Sequence, residues 1–337
     1  MGADQVTTSR LTGAATDALA SGRGSRQEAL IVEAAWCYYH EGMNQNEIAD
    51  RMGLSRATIV NYLSEARRRD YVRVSLNSDV FRNHDLAQKL VEKFNLRDAL
   101  VVPPDPIDPT RTFDRVAKAA ADWLPDLLVP GDRLGVSWGE TIYAVAENAP
   151  LTKMQNLTVV QLVGSRPAAA GFAAEACSSM ISQRFSCDCV NLHVPLIVSS
   201  EALAETLRAE PIISEELDAV ATCNKTIFAI GTCLPDSHIV RSGLLTPEEL
   251  ETYAARGATG VMCGRLIDEH GNPVRSHVEN RMLGVELEQM RNKEMAMLVS
   301  SGNARIKPIL AAIRGGYATH LVTCTETAAG ILDGADN

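Results

Sequence analysis

The feature that most constrains this chain is a repeated alternation between short, unbroken apolar runs and longer segments with helical spacing. The runs fall at residues 98–102, 133–136, 158–163, 189–198, 226–230, 260–262, 295–299 and 319–323. A strand with one wet face alternates apolar and polar residues, whereas one apolar throughout is covered on both sides. Such strands separated by helices predict a mostly parallel, doubly wound α/β sheet. Amphipathic helices are expected over 84–94, where Leu86, Leu90 and Phe94 share a face, and over 111–128. Pro103, Pro104, Pro106 and Pro109 make a stiff loop between the first strand and the second of these helices.

In sheets of this kind ligands bind beyond the carboxyl ends of the strands. Four strand ends carry small and polar residues. Gly135 to Thr141 precedes a helix beginning near Ile142, whose free N–H groups suit an anion. Ser137 and Thr141 add hydroxyls, and Gly139 lets backbone approach a ligand. Glu140 sits between them. Gly164-Ser165 and Gly231-Thr232 repeat the pattern, and Ser300-Ser301-Gly302-Asn303 is followed by the cations Arg305 and Lys307. One such loop is an ordinary turn. Four in one chain favour a shared ligand cleft.

The N-terminal part reads differently. Residues 26–41 place Leu30, Ile31, Ala34, Cys37 and Tyr38 on one helical stripe, which Gly42 ends. Asn44 stands three residues before Glu47, a capping-box spacing that starts a second helix. Ile48, Ala49 and Met52 form its inner face, Gly53 supplies a turn, and Ser55 caps a third helix. On that helix Ile59, Val60, Leu63 and Ala66 are expected inward and Arg56, Thr58, Asn61 and Tyr62 outward. This is the pattern of a helix-turn-helix, whose second paired helix enters the DNA major groove. There arginine reads guanine, asparagine adenine, and threonine a base edge or a thymine methyl. Gln45, at the start of the second helix, and the cap Ser55 join the DNA-facing set. Arg67 and Arg68, with Arg69 beside them, suit phosphates. Residues 71–76 alternate like a short strand and would form a wing.

Charge supports this division. The chain carries a net −10, yet residues 51–73 hold six arginines against Glu65 and Asp70, a local +4. An acidic body with one basic patch focuses DNA phosphate on that patch. The expected organisation is a flexible tail over 1–24, a helix-turn-helix domain over 25–77, a linker over 78–83 and an effector-binding domain over 84–337. With 46% hydrophobic and 22% charged residues the chain has an ordinary globular balance, and no apolar run reaches the roughly 18 residues of a membrane span. The N-terminus lacks the apolar core of a secretory signal, so a cytoplasmic location is expected. Eight cysteines include the pair Cys187 and Cys189 with His193 nearby. No second ligand pair follows at zinc spacing. Reduced, buried thiols are expected, with no metal and no cofactor.

Taken along the chain, these motifs carry a family resemblance. Asn46 to Arg67, Gly135 to Thr141, Leu162 to Ser165, Ile230 to Thr232, Cys263-Gly264-Arg265 with Asp268 and Gly271, and Ala311 to Gly316 before Leu321-Val322-Thr323 follow one order and spacing. The chain resembles the SorC-type (DeoR/CggR-like sugar-binding) bacterial transcriptional regulators over about residues 27 to 333. The resemblance implies a cytoplasmic repressor or activator that binds double-stranded operator DNA as a homo-oligomer, dimer or tetramer. It implies an effector domain similar to phosphosugar isomerases but without catalytic duty, answering to a small sugar, sugar phosphate or polyol. It carries the effector role to Ser137, Gly139, Thr141, Gly164, Ser165, Gly231, Thr232, Asp268 and the basic position Arg305. The family commonly has lysine where Arg305 stands, and Thr-Asp where Thr323-Cys324 stands. Arginine holds phosphate bidentately but forms no Schiff base. The competing expectation is a phosphosugar isomerase-like enzyme with an accessory helical domain. Against it, Glu140, Asp268 and His193 form no evident acid/base pair.

Overall fold

The computed structural model describes residues 22–74, 77–82, 84–166 and 172–334. The chain divides into two compact units, residues 1–75 and 76–337.

In the first unit, α1 (Gly22–Tyr39), α2 (Gln45–Met52) and α3 (Arg56–Arg68) surround a small core of Ile31, Ala34, Cys37, Ile48, Ile59, Leu63 and Ala66. The capping box forms as its spacing requires: the Asn44 side chain accepts from the backbone of Asn46 and Glu47, and Glu47 accepts from the Asn44 N–H at 2.7 Å. Gly53 closes α2 at φ 64°, and Ser55 Oγ accepts from the Thr58 N–H at 3.1 Å. Of the expected tail, residues 1–21 lie outside the described residues and 22–24 belong to α1.

Four local expectations need correction here. Val60 is 39% exposed, whereas Tyr62 is half-buried against the core, so the two exchange faces. Tyr38 is exposed as well. Residues 71–74 form no strand, since Asp70 turns the chain at φ 56° and Val72 packs back on the helical core; Ser75 and Leu76, the rest of the expected wing, lie outside the described residues. The arginine run is partly neutralised, because Glu65 meets Arg68 at 2.7 Å and Arg69 at 2.9 Å. Those two guanidinium groups hold the Glu65 carboxyl at about 2.

The second unit opens with α4 (Ser78–Arg82), a short helix where a linker was expected. Arg82 ties it to Asp98 and lies over the Trp123 ring, 5.6 Å from its centroid. Then follow α5 (Asp85–Phe94), β1 (Asp98–Val102), α6 (Pro109–Trp123), β2 (Arg133–Val136), α7 (Glu140–Asn148), β3 (Thr158–Gln161), α8 (Ala174–Phe185), β4 (Asp188–Val190), α9 (Glu201–Ala209), α10 (Pro211–Ala221) and β5 (Lys225–Phe228). The chain continues through β6 (Gly231–Thr232), α11 (His238–Arg241), α12 (Pro247–Ala255), β7 (Gly260–Met262), β8 (Arg265–Ile267), β9 (Pro273–Val274), β10 (Met295–Val299), α13 (Ile306–Arg314), β11 (His320–Cys324) and α14 (Thr325–Gly334).

Among the described residues seven strands form one sheet in the order β1-β11-β10-β5-β2-β3-β4, every pair parallel. Its two faces bury alternate residues of the same strand. Leu100 and Val102 join Val116, Ile142 and Phe185 on one side, while Ala99 and Val101 join Leu90, Ile309 and Ile331 on the other. Side chains alternate across a strand, so a strand between two such cores is apolar along most of its length. The order also fixes a switch point. After β2 the chain winds outward to β3 and β4, then returns to lay β5 on the other side of β2. The crevice beyond β2 and β5 is where this topology leaves room for a ligand.

Two expected strands differ. The run 260–262 belongs not to the parallel sheet but to a second one, the antiparallel β6-β7-β8-β9. The run 189–198 stays in the seven-stranded sheet only as far as Val190, and Pro195 and Ile197 then make isolated bridges to Ser165 and Met282. Beyond Val190, Glu216 accepts from the His193 N–H at 2.8 Å and also pairs with the His193 ring, and Pro195 offers no N–H to a ladder. The helix expected to reach residue 128 stops at Trp123 and continues as a 3-10 turn, Leu124–Leu127, around Pro125.

Candidate functional site

A cavity of ≈ 450 Å³ opens at the switch point. Three strand ends build its floor: residues 137–141 after β2, 229–232 after β5, and 301–305 after β10. Residues 234–241, with Val261, Cys263 and Gly264 of the small sheet, close the other side. Seven of the eleven residues selected from sequence line it: Ser137, Gly139, Glu140, Thr141, Gly231, Thr232 and Arg305.

The backbone is shaped for a bound group. Gly139 precedes α7 at φ 100°, a conformation side chains avoid, and α7 has no side-chain cap, so its first N–H groups are left for a ligand. Gly302 stands at φ 108° ahead of a 3-10 turn, Asn303–Arg305, that leads into α13. Ser137 Oγ lies 3.5 Å from Cys263 Sγ, and the Trp138 ring meets His238 edge-on at 4.5 Å between centroids.

The cavity lining carries two carboxylates, Glu140 and Asp236, and two guanidinium groups, Arg241 and Arg305, with no ion pair between them among the described residues. Arg241 stands at the rim and Arg305 is half-buried; among the described residues neither has a carboxylate at ion-pair distance. Arg305 donates to the Ser301 carbonyl at 2.9 Å. Burial pulls its affinity for the proton down, Arg241 does the same, and Glu140 works against both. Burial also lowers the His238 pKa, helped by Arg241 and opposed by Glu140. Among the described residues, His238 Nε2 and Ser237 Oγ are buried without a hydrogen-bond partner. A buried polar atom left unpaired costs about 1–3 kcal/mol, which a bound hydroxyl or phosphoryl oxygen would recover. Cys263 is no nucleophile, since burial pushes its thiol up to about 11.

The other four expected residues stand elsewhere. Gly164 and Ser165 cross the chain at 194–196: the Ser165 N–H donates to Val194 O and its carbonyl accepts from Leu196 N, both at 2.8 Å. A Cβ on Gly164 would lie 2.7 Å from Pro195 O and 2.8 Å from Leu196 N. Asp268 holds the β8–β9 turn, accepting from the Asn272 N–H at 2.7 Å and the His270 N–H at 2.9 Å. Burial would raise its pKa, but these bonds outweigh burial and lower it. Lys307 is exposed in the first turn of α13 and does not line the cavity. Gly164→Ala is therefore expected to destabilise the fold by about 1–3 kcal/mol through overpacking, with the ligand dissociation constant of the folded protein unchanged. Thermal melts paired with ligand titration separate the two effects, and an unshifted melt would contradict this packing role.

Ser237, His238 and Arg241 escaped the sequence reading. They follow β6 through Leu234, Pro235 and Asp236, without the glycine that marked the other loops. The available signal was a basic pair at i and i+3, His238 and Arg241, six residues beyond the Gly231-Thr232 strand end.

The family model "Putative sugar-binding domain" matches residues 78–333. The chain is 37% identical over 307 residues to the uncharacterized transcriptional regulator YjhU of Escherichia coli strain K12, covering 90% of this chain and 94% of that one. It is 29% identical over 311 residues to the deoxyribonucleoside regulator of Bacillus subtilis strain 168, covering 91% and 98%. The full-length sorbitol operon regulator SorC from Klebsiella pneumoniae shares the fold with a TM-score of 0.73 at 24% identity, over 90% of this chain and 98% of that chain. No helix among the described residues is long and apolar enough to cross a membrane. From the match across residues 78–333 and the identity shared along nine-tenths of its length, this chain belongs to the SorC-type family of sugar-binding transcriptional regulators.

Proposed function

We propose that this chain is a cytoplasmic, non-catalytic regulator that binds operator DNA through a helix-turn-helix in its first unit and a small phosphorylated sugar in the cavity of its second. The observation that carries the effector assignment is the pair Arg241 and Arg305, neither in an ion pair among the described residues, beside the buried Ser237 Oγ and His238 Nε2, which have no hydrogen-bond partner there. Guanidinium groups bind phosphate in a fixed fork, and Glu140, Ser137, Thr141 and Thr232 supply partners for sugar hydroxyls. The names of two relatives, a deoxyribonucleoside regulator and a sorbitol operon regulator, support a small polyhydroxylated effector. The isomerase-like architecture is then reused for binding alone. A dimer or tetramer of the chain would present several DNA-reading heads, as paired operator half-sites require.

The DNA assignment rests on α2 and α3. Arg56 Nε donates to Gln45 Oε1 at 3.2 Å, which positions the guanidinium, and the Asn61 side chain is exposed on α3. Arg67 keeps no carboxylate partner among the described residues and is the phosphate contact of the run, while Ser55 caps the opposite end of α3. Arg56→Ala and Asn61→Ala are each expected to weaken binding to the specific duplex roughly tenfold or more, at about 1–3 kcal/mol per base contact. Binding to random duplex should change little, as measured by anisotropy over a salt series. Equal losses on both duplexes would oppose base reading by these residues. For the effector, thermal melts against a panel of sugars, polyols and their phosphates should show stabilisation by a phosphorylated member, because a ligand that binds only the folded form raises its stability. Turnover of a pentose or hexose phosphate by the purified chain would overturn the non-catalytic role.

A further inference from the structure

We infer that Val60 reads the 5-methyl group of a thymine in the major groove; this rests on the DNA-reading role proposed above. The packing of α3 is complete without this side chain. Ile59, Leu63 and Ala66 are buried, Tyr62 leans on the same core, and Val60 is 39% exposed and takes no part in it. Positions 57, 60, 61 and 64 follow the i, i+3, i+4, i+7 spacing of a single helical face. That face carries Ala57, Val60, Asn61 and Ser64, all exposed, flanked by Arg56 and Arg67. A β-branched residue on a wet helix surface loses rotamer freedom for no gain in burial.

The neighbouring chemistry identifies the partner. Arg56 and Arg67 attract a polyanion, and the exposed Asn61 amide is suited to a base edge. The one apolar group that base pairs display in the major groove is the thymine methyl. Ala57, one turn before Asn61, leaves room for a base to approach. Thr58, the sequence candidate for such a contact, is engaged elsewhere: its hydroxyl lies 2.8 Å from Ser55 Oγ, inside the cap of α3. Val60 therefore takes the role that its neighbour gives up.

The test uses the full chain and a duplex recovered by it from a random-sequence library. Each thymine of a half-site is replaced in turn by uracil, which removes only the methyl. One replacement is expected to weaken binding of the unaltered chain roughly three- to fivefold, the worth of one buried methyl group. In Val60→Ala the same replacement should have no effect, and in Val60→Thr, which keeps a methyl, the sensitivity should persist. A uracil effect of equal size in Val60→Ala, or no sensitive thymine at all, would overturn the inference while leaving specific binding intact. Recovery of no duplex would instead overturn the DNA-reading role beneath it. Because Val60 is exposed, Val60→Ala should melt with the unaltered chain.

Discussion

Arg305→Ala is expected to weaken effector binding about 10- to 100-fold, which corresponds to a charge-assisted hydrogen bond of about 1.5–3 kcal/mol. The ligand-free protein should lose no stability. Arg305 is held half-buried without a carboxylate partner among the described residues, and burial already disfavours its charge. Removing a poorly compensated cation relieves desolvation, so the melting temperature of the free chain should hold or rise. A structural arginine would behave in the opposite way, since its loss would lower the melt with or without ligand. Arg305→Lys should recover part of the affinity, because it keeps the charge but not the bidentate fork. Calorimetric titration with the stabilising phosphate, beside melts of the free protein, reads both quantities. Unchanged affinity in Arg305→Ala would remove this residue from the site.

Asp132→Ala is expected to cost about 3–5 kcal/mol of stability, the usual penalty for breaking a buried ion pair by removing one partner. Asp132 stands before β2 and meets Lys225 of β5 at 2.7 Å, their side chains 4% and 9% exposed. It also accepts from the Val129 N–H and from Asn224. Without it the Lys225 ammonium keeps only the Leu127 carbonyl in a buried position. The pair sits at the amino ends of the two strands whose carboxyl ends form the cavity, so its loss should unfold the second unit rather than alter ligand contacts. The same pair predicts a pH dependence. Burial would raise the Asp132 pKa, but the Lys225, Val129 and Asn224 bonds overcome burial and depress it. A carboxylate whose pKa is lower folded than unfolded stabilises the protein above its unfolded value, about 3.9, and that stability is lost as pH falls through the folded one. Denaturant melts below about pH 4 should show this loss in the parent chain and a weaker one in Asp132→Ala. Equal slopes would contradict the linkage.

The strands were legible because a doubly covered strand is mostly apolar, even though this sheet also buries Gln161, Thr226 and Thr323: 98–102, 133–136, 260–262 and 295–299 match their strands to the residue. Apolar content does not reveal which sheet a strand joins, and 260–262 went to the small antiparallel one. Local chemistry likewise identified the loops after β2, β5 and β10 as lining a cleft, but Gly164-Ser165 has the same composition and serves a crossing of two segments. What separates them is packing against 194–196, thirty residues away, which no local pattern encodes. The exchange of Val60 and Tyr62 has a simpler origin. Tyrosine buries a ring while keeping its hydroxyl wet, so polarity alone put it on the wrong face. His238 and Arg241 were missed because their segment lacks both glycine and strand periodicity.

We propose that occupancy of the cavity governs DNA binding. A ligand shifts such an equilibrium only through its different affinity for the two states. The most direct measurement is anisotropy of a duplex selected by the full chain, titrated with and without the stabilising sugar phosphate, in the parent chain and in Arg305→Ala. The dissociation constant for DNA should change by about fivefold or more in the parent chain, the lower range of allosteric coupling, and stay constant in Arg305→Ala at the same ligand concentration. A phosphate that stabilises the protein yet leaves the parent chain's affinity for DNA unchanged would contradict this coupling.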